Sequence, residues 1–243
     1  MRLIVISDTP RKFEYTLKNK LGAEIVKLEN SVVDVQELSS KLQDSLVLLR
    51  AYSVYKLIPI AAIARSSKPK IVINNPDLVI HCACREVLYN YLQSLGLPTP
   101  KRYHIYDVCN VSDVIDKVKG RTYILTYAKS EIDGLVETPQ ALVSVVEHRF
   151  YMSAEDVKVN IFVPDIEDLQ DVLIVDKEPL NEVKKEFEEL VSRFIEKVGR
   201  GLYLLRLAKQ RGEPVIVDVD PVPEIYEDEH IEKAIKFIRT LLE

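Results

Sequence analysis

The chain has 243 residues, 47% of them hydrophobic and 29% charged, and a formal net charge of −5. That balance fits a globular chain of one large domain or two small ones sharing a core, and it lacks the broad positive field of a nucleic-acid binder. No run approaches the roughly 18 apolar residues of a membrane span, and the opening MRLIVISDTP meets an acid too early for a secretory apolar region. Three cysteines make no disulfide framework, so a reducing, cytoplasmic setting is expected. The 7 glycines stand apart from one another, which excludes the clustered glycines of Walker and dinucleotide-binding loops.

In chain order, Leu3–Ile6, Glu24–Leu28, Ser45–Leu49 and Lys70–Ile73 are short Val/Ile/Leu runs of the kind buried on both faces of a parallel sheet. Helical patterns at about 11–21, 34–43 and 54–66 separate them, which predicts an open α/β sheet. Asn74-Asn75-Pro76 reads as a turn. A helix over 83–95 carries Val87, Leu88, Tyr91, Leu92 and Leu95 on one face, with Gly96 as a left-handed cap. Leu97-Pro98-Thr99-Pro100 then forces an extended connector and marks the domain boundary.

Beyond the connector the pattern changes to α+β. Val111–Val118 reads as helical, and a short helical piece is expected around Pro139. Thr122–Tyr127, Ala141–Val146, Lys158–Phe162 and Val172–Val175 read as strands. Asn181–Val198 is an amphipathic helix stopped by Gly199 and Gly201. Leu202–Leu207 and Pro214–Val219 form a strand pair around the turn Lys209-Gln210-Arg211-Gly212, and a final helix runs from about Asp228 to Leu242.

Few residues point to chemistry on their own. Simple alternation puts Val215, Val217 and Val219 on one face of their strand and Ile216, Asp218 and Asp220 on the other. The two carboxylates then lie about 7 Å apart, a spacing that suits Mg²⁺ or two solvated acids at a strand end. His81, Cys82 and Cys84, with His104 and Cys109, read either as soft metal ligands or as small packing residues, and the spacing favours packing. Glu147-His148-Arg149 interrupts an apolar run. Arg50 closes its strand at the carboxyl end, where open α/β sheets place their ligands.

Together these segments resemble the RimK/LysX-type branch of the ATP-grasp superfamily, ligases that add glutamate to ribosomal or amino-group carrier proteins. The resemblance rests on the order of Ser45–Arg50, Val72–Pro76 and Ser94–Pro100. Further on, Val145–Phe150 is similar to the family's adenine hinge, Asp156–Val159 to its Asp-Ile-Arg-Val strand and Val217–Pro223 to its magnesium strand. It implies a parallel-sheet pre-ATP-grasp domain over 1–100 and a shortened ATP-grasp domain over 101–243, with a lid at about 108–146 and a core at about 147–243. It further implies ATP and Mg²⁺ as cofactors and ligation of a carboxylate to an amine through an acyl phosphate. Arg85 and Lys129 would contact phosphate, Glu147, His148 and Phe150 would hold adenine, and Asp218 and Asp220 would hold the metal. The partners implied are an amino-acid or protein substrate and a second copy or a ligase subunit.

The departures from the family pattern are specific. Arg85 and Thr126 stand at the two lysine positions. The loop Ala128–Gly134 has one glycine and two acids, and acids repel a triphosphate. Arg206 is the charged residue on the strand where an earlier magnesium carboxylate is expected. These departures predict an altered nucleotide site, or a non-catalytic subunit that partners an active ligase.

Overall fold

Residues 1–28, 33–105, 121–126, 134–136, 138, 141 and 160–243 are described in a computed structural model of the chain. The first sheet is built from the short apolar runs: β1 (Arg2–Ser7), β2 (Glu24–Lys27), β3 (Ser45–Arg50) and β4 (Ile71–Ile73). All its pairings are parallel, in the order β2-β1-β3-β4. Leu3–Ile6 and the whole of β3 are buried, which is why these strands show no alternation in sequence. Ile4, Ile6, Val47 and Leu49 pack on helices α2 (Val35–Leu42) and α3 (Val54–Ser67). Leu3, Val5, Leu46 and Leu48 pack on α1 (Lys12–Leu21).

That second face is shared with the far end of the chain. The carboxyl-terminal helix (Asp228–Leu242) buries Ile231, Ala234, Ile235, Phe237 and Ile238, in one cluster with Leu3, Val5, Phe13 and Leu17. The sequence reading placed a domain boundary at Pro98–Pro100, yet this buried cluster draws on residues from both sides of it.

Next come two short helices, α4 (Pro76–His81) and α5 (Arg85–Ser94). The Asn-Asn-Pro segment, expected to be a turn, is the start of α4. Asn75 caps it by accepting from Asp77 N at 2.9 Å, and Pro76 occupies the first turn, where its missing N–H does no harm. Gly96 follows α5 at φ 73°, the left-handed conformation anticipated for it.

The second sheet is antiparallel, with β9 (Ile166–Asp176), β10 (Glu178–Pro179), β11 (Gly201–Gln210) and β12 (Glu213–Asp220) in the order β10-β9-β11-β12. Its turn between β11 and β12 is only Arg211-Gly212, at φ 55° and 82°, the doubly positive pair of a type I′ hairpin. The four-residue turn expected here is corrected accordingly, because Lys209 and Gln210 remain in the ladder. The helix expected from Asn181 begins later: a 3₁₀ turn covers Lys185–Phe187 and α6 spans Glu188–Val198. Asn181 is engaged elsewhere, accepting from Leu173 N at 2.9 Å and donating to Asp171 O at 2.8 Å.

The third sheet contains β5 (Tyr103–Ile105), β6 (Thr122–Thr126), β7 (Gly134–Val136) and β8 (Asn160–Val163), in the order β5-β8-β6-β7 and antiparallel throughout. The sequence reading did not anticipate β5 and β7, which have three residues each and are too short to show a period. Numbering the carboxyl-terminal helix as α7 completes the described elements. The expected helix Val111–Val118, the 142–146 part of the expected strand Ala141–Val146 and the motif Asp156–Val159 lie outside the described residues. No helix among the described residues is long and apolar enough to cross a membrane.

The second sheet is covered on both faces. Leu78, Leu88 and Leu92 of α4 and α5, with Leu190, Val191 and Phe194 of α6, pack on Val172, Ile174, Leu205, Leu207, Ile216 and Val219. On the opposite face Tyr123, Ile161 and Val163 of the third sheet meet Ala208, Val215 and Val217, with Tyr89 of α5 in the same cluster.

One buried side chain ties the first sheet to the second. Asn74, at φ 66° just past β4, donates from Nδ2 to Leu202 O at 2.9 Å and to Pro221 O, and it accepts from Leu202 N at 2.6 Å. It therefore fixes both the start of β11 and the residue after β12. Asn74→Ala leaves these buried backbone groups unpaired and is predicted to lower unfolding free energy by about 2–4 kcal/mol. Urea denaturation of the two proteins measures the difference.

Candidate active site

The two aspartates singled out in sequence lie at the end of β12, and a bulge decides where they point. Arg206 pairs with Asp218 while Leu207 pairs with Ile216, so Val217 is an extra residue in the ladder. Ile216 and Val219 face the helices, whereas Val215 and Val217 face the third sheet. The expected grouping of Val219 with Val215 and Val217 is thus corrected, because the bulge reverses the alternation from Asp218 onward. Asp218 and Asp220 turn toward the third sheet. Asp218 is 7% exposed, so it is no solvated strand-end acid.

Register then lines up a row of charges across three strands. Arg206 of β11 stands opposite Asp218 of β12 on one side and Asp171 of β9 on the other. Its guanidinium grips Asp171 in a fork, Nε to Oδ1 and Nη2 to Oδ2, both at 2.8 Å, the bidentate geometry that suits Arg and not Lys. Nη1 donates to the Tyr123 hydroxyl at 2.6 Å and joins the row to the third sheet. The bonds to Asp171 raise the Arg206 pKa above its usual value against the opposing effect of burial, and the nearby charges of Asp171, Tyr123 and Asp218 act in the same upward direction.

The first turn of α5 completes the row. Arg85 is 1% exposed and donates from Nη2 to Asp218 Oδ2 at 3.0 Å. Asp218 Oδ1 accepts from Val219 N at 3.0 Å. One turn on, the Tyr89 hydroxyl donates to the bulged carbonyl of Val217 at 2.8 Å, and burial pushes that phenol well above its ordinary range. Glu86 points the other way, accepting from both guanidinium arms of Arg102, with Nη2 at 2.5 Å, and meeting His104 Nε2 at 2.7 Å. The Arg102 bond, with the His104 bond as a smaller contribution, holds the Glu86 pKa below the usual carboxylate range despite partial burial. Arg102 also lies over the Tyr89 ring at 4.4 Å. The helix start is therefore knitted to the bulge of β12 and to β5.

Of the residues predicted for the site, Arg85 and Asp218 are brought into direct contact. Asp220 lies two residues past the row, opposite Leu204, its Oδ1 accepting from Val222 N at 2.8 Å. Lys129, Glu147, His148 and Phe150 lie outside the described residues. Arg50, noted at the carboxyl edge of the first sheet, is buried in a separate ion pair, with Nε on Glu14 Oε1 at 2.6 Å and Nη2 on the Tyr52 hydroxyl at 2.7 Å. Cys82 is buried in the core, and His81 stacks on Tyr91 at 4.6 Å, so these two residues pack as the spacing favoured.

Sequence reasoning missed Asp171, Tyr123 and Tyr89. The strand expected over Val172–Val175 begins at Ile166, and its polar first half, Glu167, Asp168, Gln170 and Asp171, hid its extent. Tyr89 is at helical spacing from Arg85, which is the one sequence signal for it.

A magnesium ion needs near-octahedral oxygen ligands, and the donor set here does not fit one. Both oxygens of Asp218 are engaged, and the facing position on β11 carries a guanidinium in place of a carboxylate. No group of three or more His, Cys, Asp or Glu is placed to hold a metal among the described residues.

No protein-family profile matches the chain, and no curated protein does. Solved structures match over its full length. A RimK-domain ATP-grasp protein from Sphaerobacter thermophilus is 16% identical, with 98% of this chain and 99% of that one covered at a TM-score of 0.74. D-alanine–D-alanine ligase from Bacillus anthracis is 14% identical over 99% and 98% of the chains at 0.64. The ATP-grasp ligase PsnB, in complex with a minimal precursor, Mg and ADP, is 11% identical over 99% and 96% at 0.65. The chain has the ATP-grasp fold, as the motif order implied.

The Arg85–Asp218 pair is buried deeply enough for its partners to be unequal to the sum of their parts. Arg85→Met alone strands a buried carboxylate and is predicted to cost about 3–5 kcal/mol, while Arg85→Met with Asp218→Asn costs markedly less. A denaturation cycle over the four proteins reads the coupling.

Proposed function

We propose that this protein binds ATP beside the charged row where the second and third sheets meet, as an ATP-grasp protein of the carboxylate–amine ligase type with an altered phosphate site. The observation that supports this reading is the row Asp171–Arg206–Asp218–Arg85. Arg85 and Asp218 are buried while Arg206 and Asp171 stay partly exposed; burying charged groups costs stability, and such clusters concentrate at functional sites. The full-length likeness to D-alanine–D-alanine ligase, the RimK-domain protein and PsnB supports ATP as the nucleotide. An amino-acid or peptide carboxylate and an amine are the proposed substrates.

In the reaction so proposed, a carboxylate oxygen attacks the γ-phosphorus and ADP leaves. The amine then attacks the acyl carbon and phosphate departs, leaving an amide. Catalysis of the first step depends on positioning and on charge that neutralises the transferring phosphoryl group. The guanidinium groups of Arg85 and Arg206 are the described cations nearest the strand end. The second reading, a nucleotide-binding subunit that partners an active ligase, is favoured by Arg206 itself, which stands where the resemblance leads one to expect a carboxylate.

Calorimetric titration with ATP followed by an ADP-release assay across amino acids tests both. Binding with ADP release that depends on an added amino acid is the expected result for the ligase. Binding without release under any substrate supports the subunit reading, and no binding up to about 1 mM ATP, a free energy of about −4 kcal/mol, overturns the nucleotide assignment.

A further inference from the structure

Among the described residues, the four charges of the row balance one another. Asp171 and Asp218 supply two negative charges, and Arg206 and Arg85 supply two positive ones. A divalent cation added to this row would enter as uncompensated charge beside two guanidinium groups. To reach Asp218 Oδ2 it would also have to displace Arg85, which holds that oxygen at 3.0 Å. Arg85 and Asp218 are buried, and beside them such repulsion is screened little.

Arg206 is also free to do a cation's work. Its side chain is 27% exposed, so solvent reaches it at the edge of the row. Of its five N–H groups, three are committed, two to Asp171 and one to Tyr123. One N–H on Nη1 and one on Nη2 remain to donate, and the fork on Asp171 fixes the plane in which they lie. A guanidinium held in this way matches phosphate oxygens with two donors.

We infer that this row binds a nucleoside polyphosphate without a divalent cation, the guanidinium of Arg206 standing in the metal's place. The inference rests on the nucleotide-binding reading above. It assigns Arg206 a phosphate-binding role and Asp171 the role of positioning it. Asp218 is left as the counter-ion of Arg85.

Two titrations of the full chain test it. ATP titrated in excess EDTA and in excess Mg²⁺ is expected to bind within about threefold in the two buffers, and Arg206→Ala to weaken it about tenfold or more in both. Mn²⁺ alone, followed by loss of its free-ion paramagnetic resonance signal, is expected not to bind the wild type and to bind Arg206→Asp, in which a third carboxylate joins Asp218 and Asp220. ATP that binds only with Mg²⁺ overturns the inference and leaves the nucleotide reading intact. The same holds for Mn²⁺ taken up by the wild type and lost in Asp220→Asn. Failure to bind ATP in either buffer overturns the nucleotide reading, and with it the proposed ligand. The Mn²⁺ titration of the wild type needs no variant to fold.

Discussion

The contact between Arg85 and Asp218 is the constraint on which the arrangement of this half of the molecule turns. A buried carboxylate is tolerated only with a partner, and the partner must come from a helix fixed against the strand. The bulge at Val217 turns Asp218 toward the third sheet, Tyr89 pins the bulged carbonyl, and Arg85 closes on the carboxylate from the helix start. Glu86, between Arg85 and the rest of the turn, anchors that helix to Arg102 and His104. Four consecutive features of one helical turn and one strand end therefore depend on a single ion pair.

The wider fold supplies the rigidity this pair requires. Helix α7 returns to cover the first sheet, and Asn74 bonds both to the start of β11 and to the carbonyl after Asp220. The strand that carries the aspartates is thereby held at its site end by the first sheet and along its length by β11. Gly201 serves the same joint, because a Cβ there would overlap the ring of Tyr203, which is packed edge-on against Phe194 at 5.7 Å.

Much of this was legible in the amino-acid sequence. The parallel sheet was visible because strands buried on both faces read as unbroken apolar runs, and the order of motifs was enough to imply the ATP-grasp fold. Arg85 and Asp218 were both identified as site residues, but as ligands of phosphate and metal. Their contact with each other was not visible, because it joins positions 133 apart in the chain. The bulge was equally hidden: Pro214–Asp220 alternates cleanly, and nothing local marks Val217 as the extra residue. Asp171 escaped for a related reason, since the polar half of β9 has no apolar period and is strand only because β11 pairs with it.

Charge compensation also explains why Arg206 matters more than its isolated position suggested. Alone on an apolar strand it reads as a departure from a family pattern. Between Asp171 and Asp218 it is the central member of a neutral row that spans three strands and reaches a fourth through Tyr123. Amide hydrogen exchange with and without ATP tests the account most directly. The account predicts added protection at Arg85–Tyr89, Leu204–Arg206 and Val217–Asp220 when ATP is present. Protection confined to the carboxyl edge of the first sheet, around Arg50, with none at the row would contradict it.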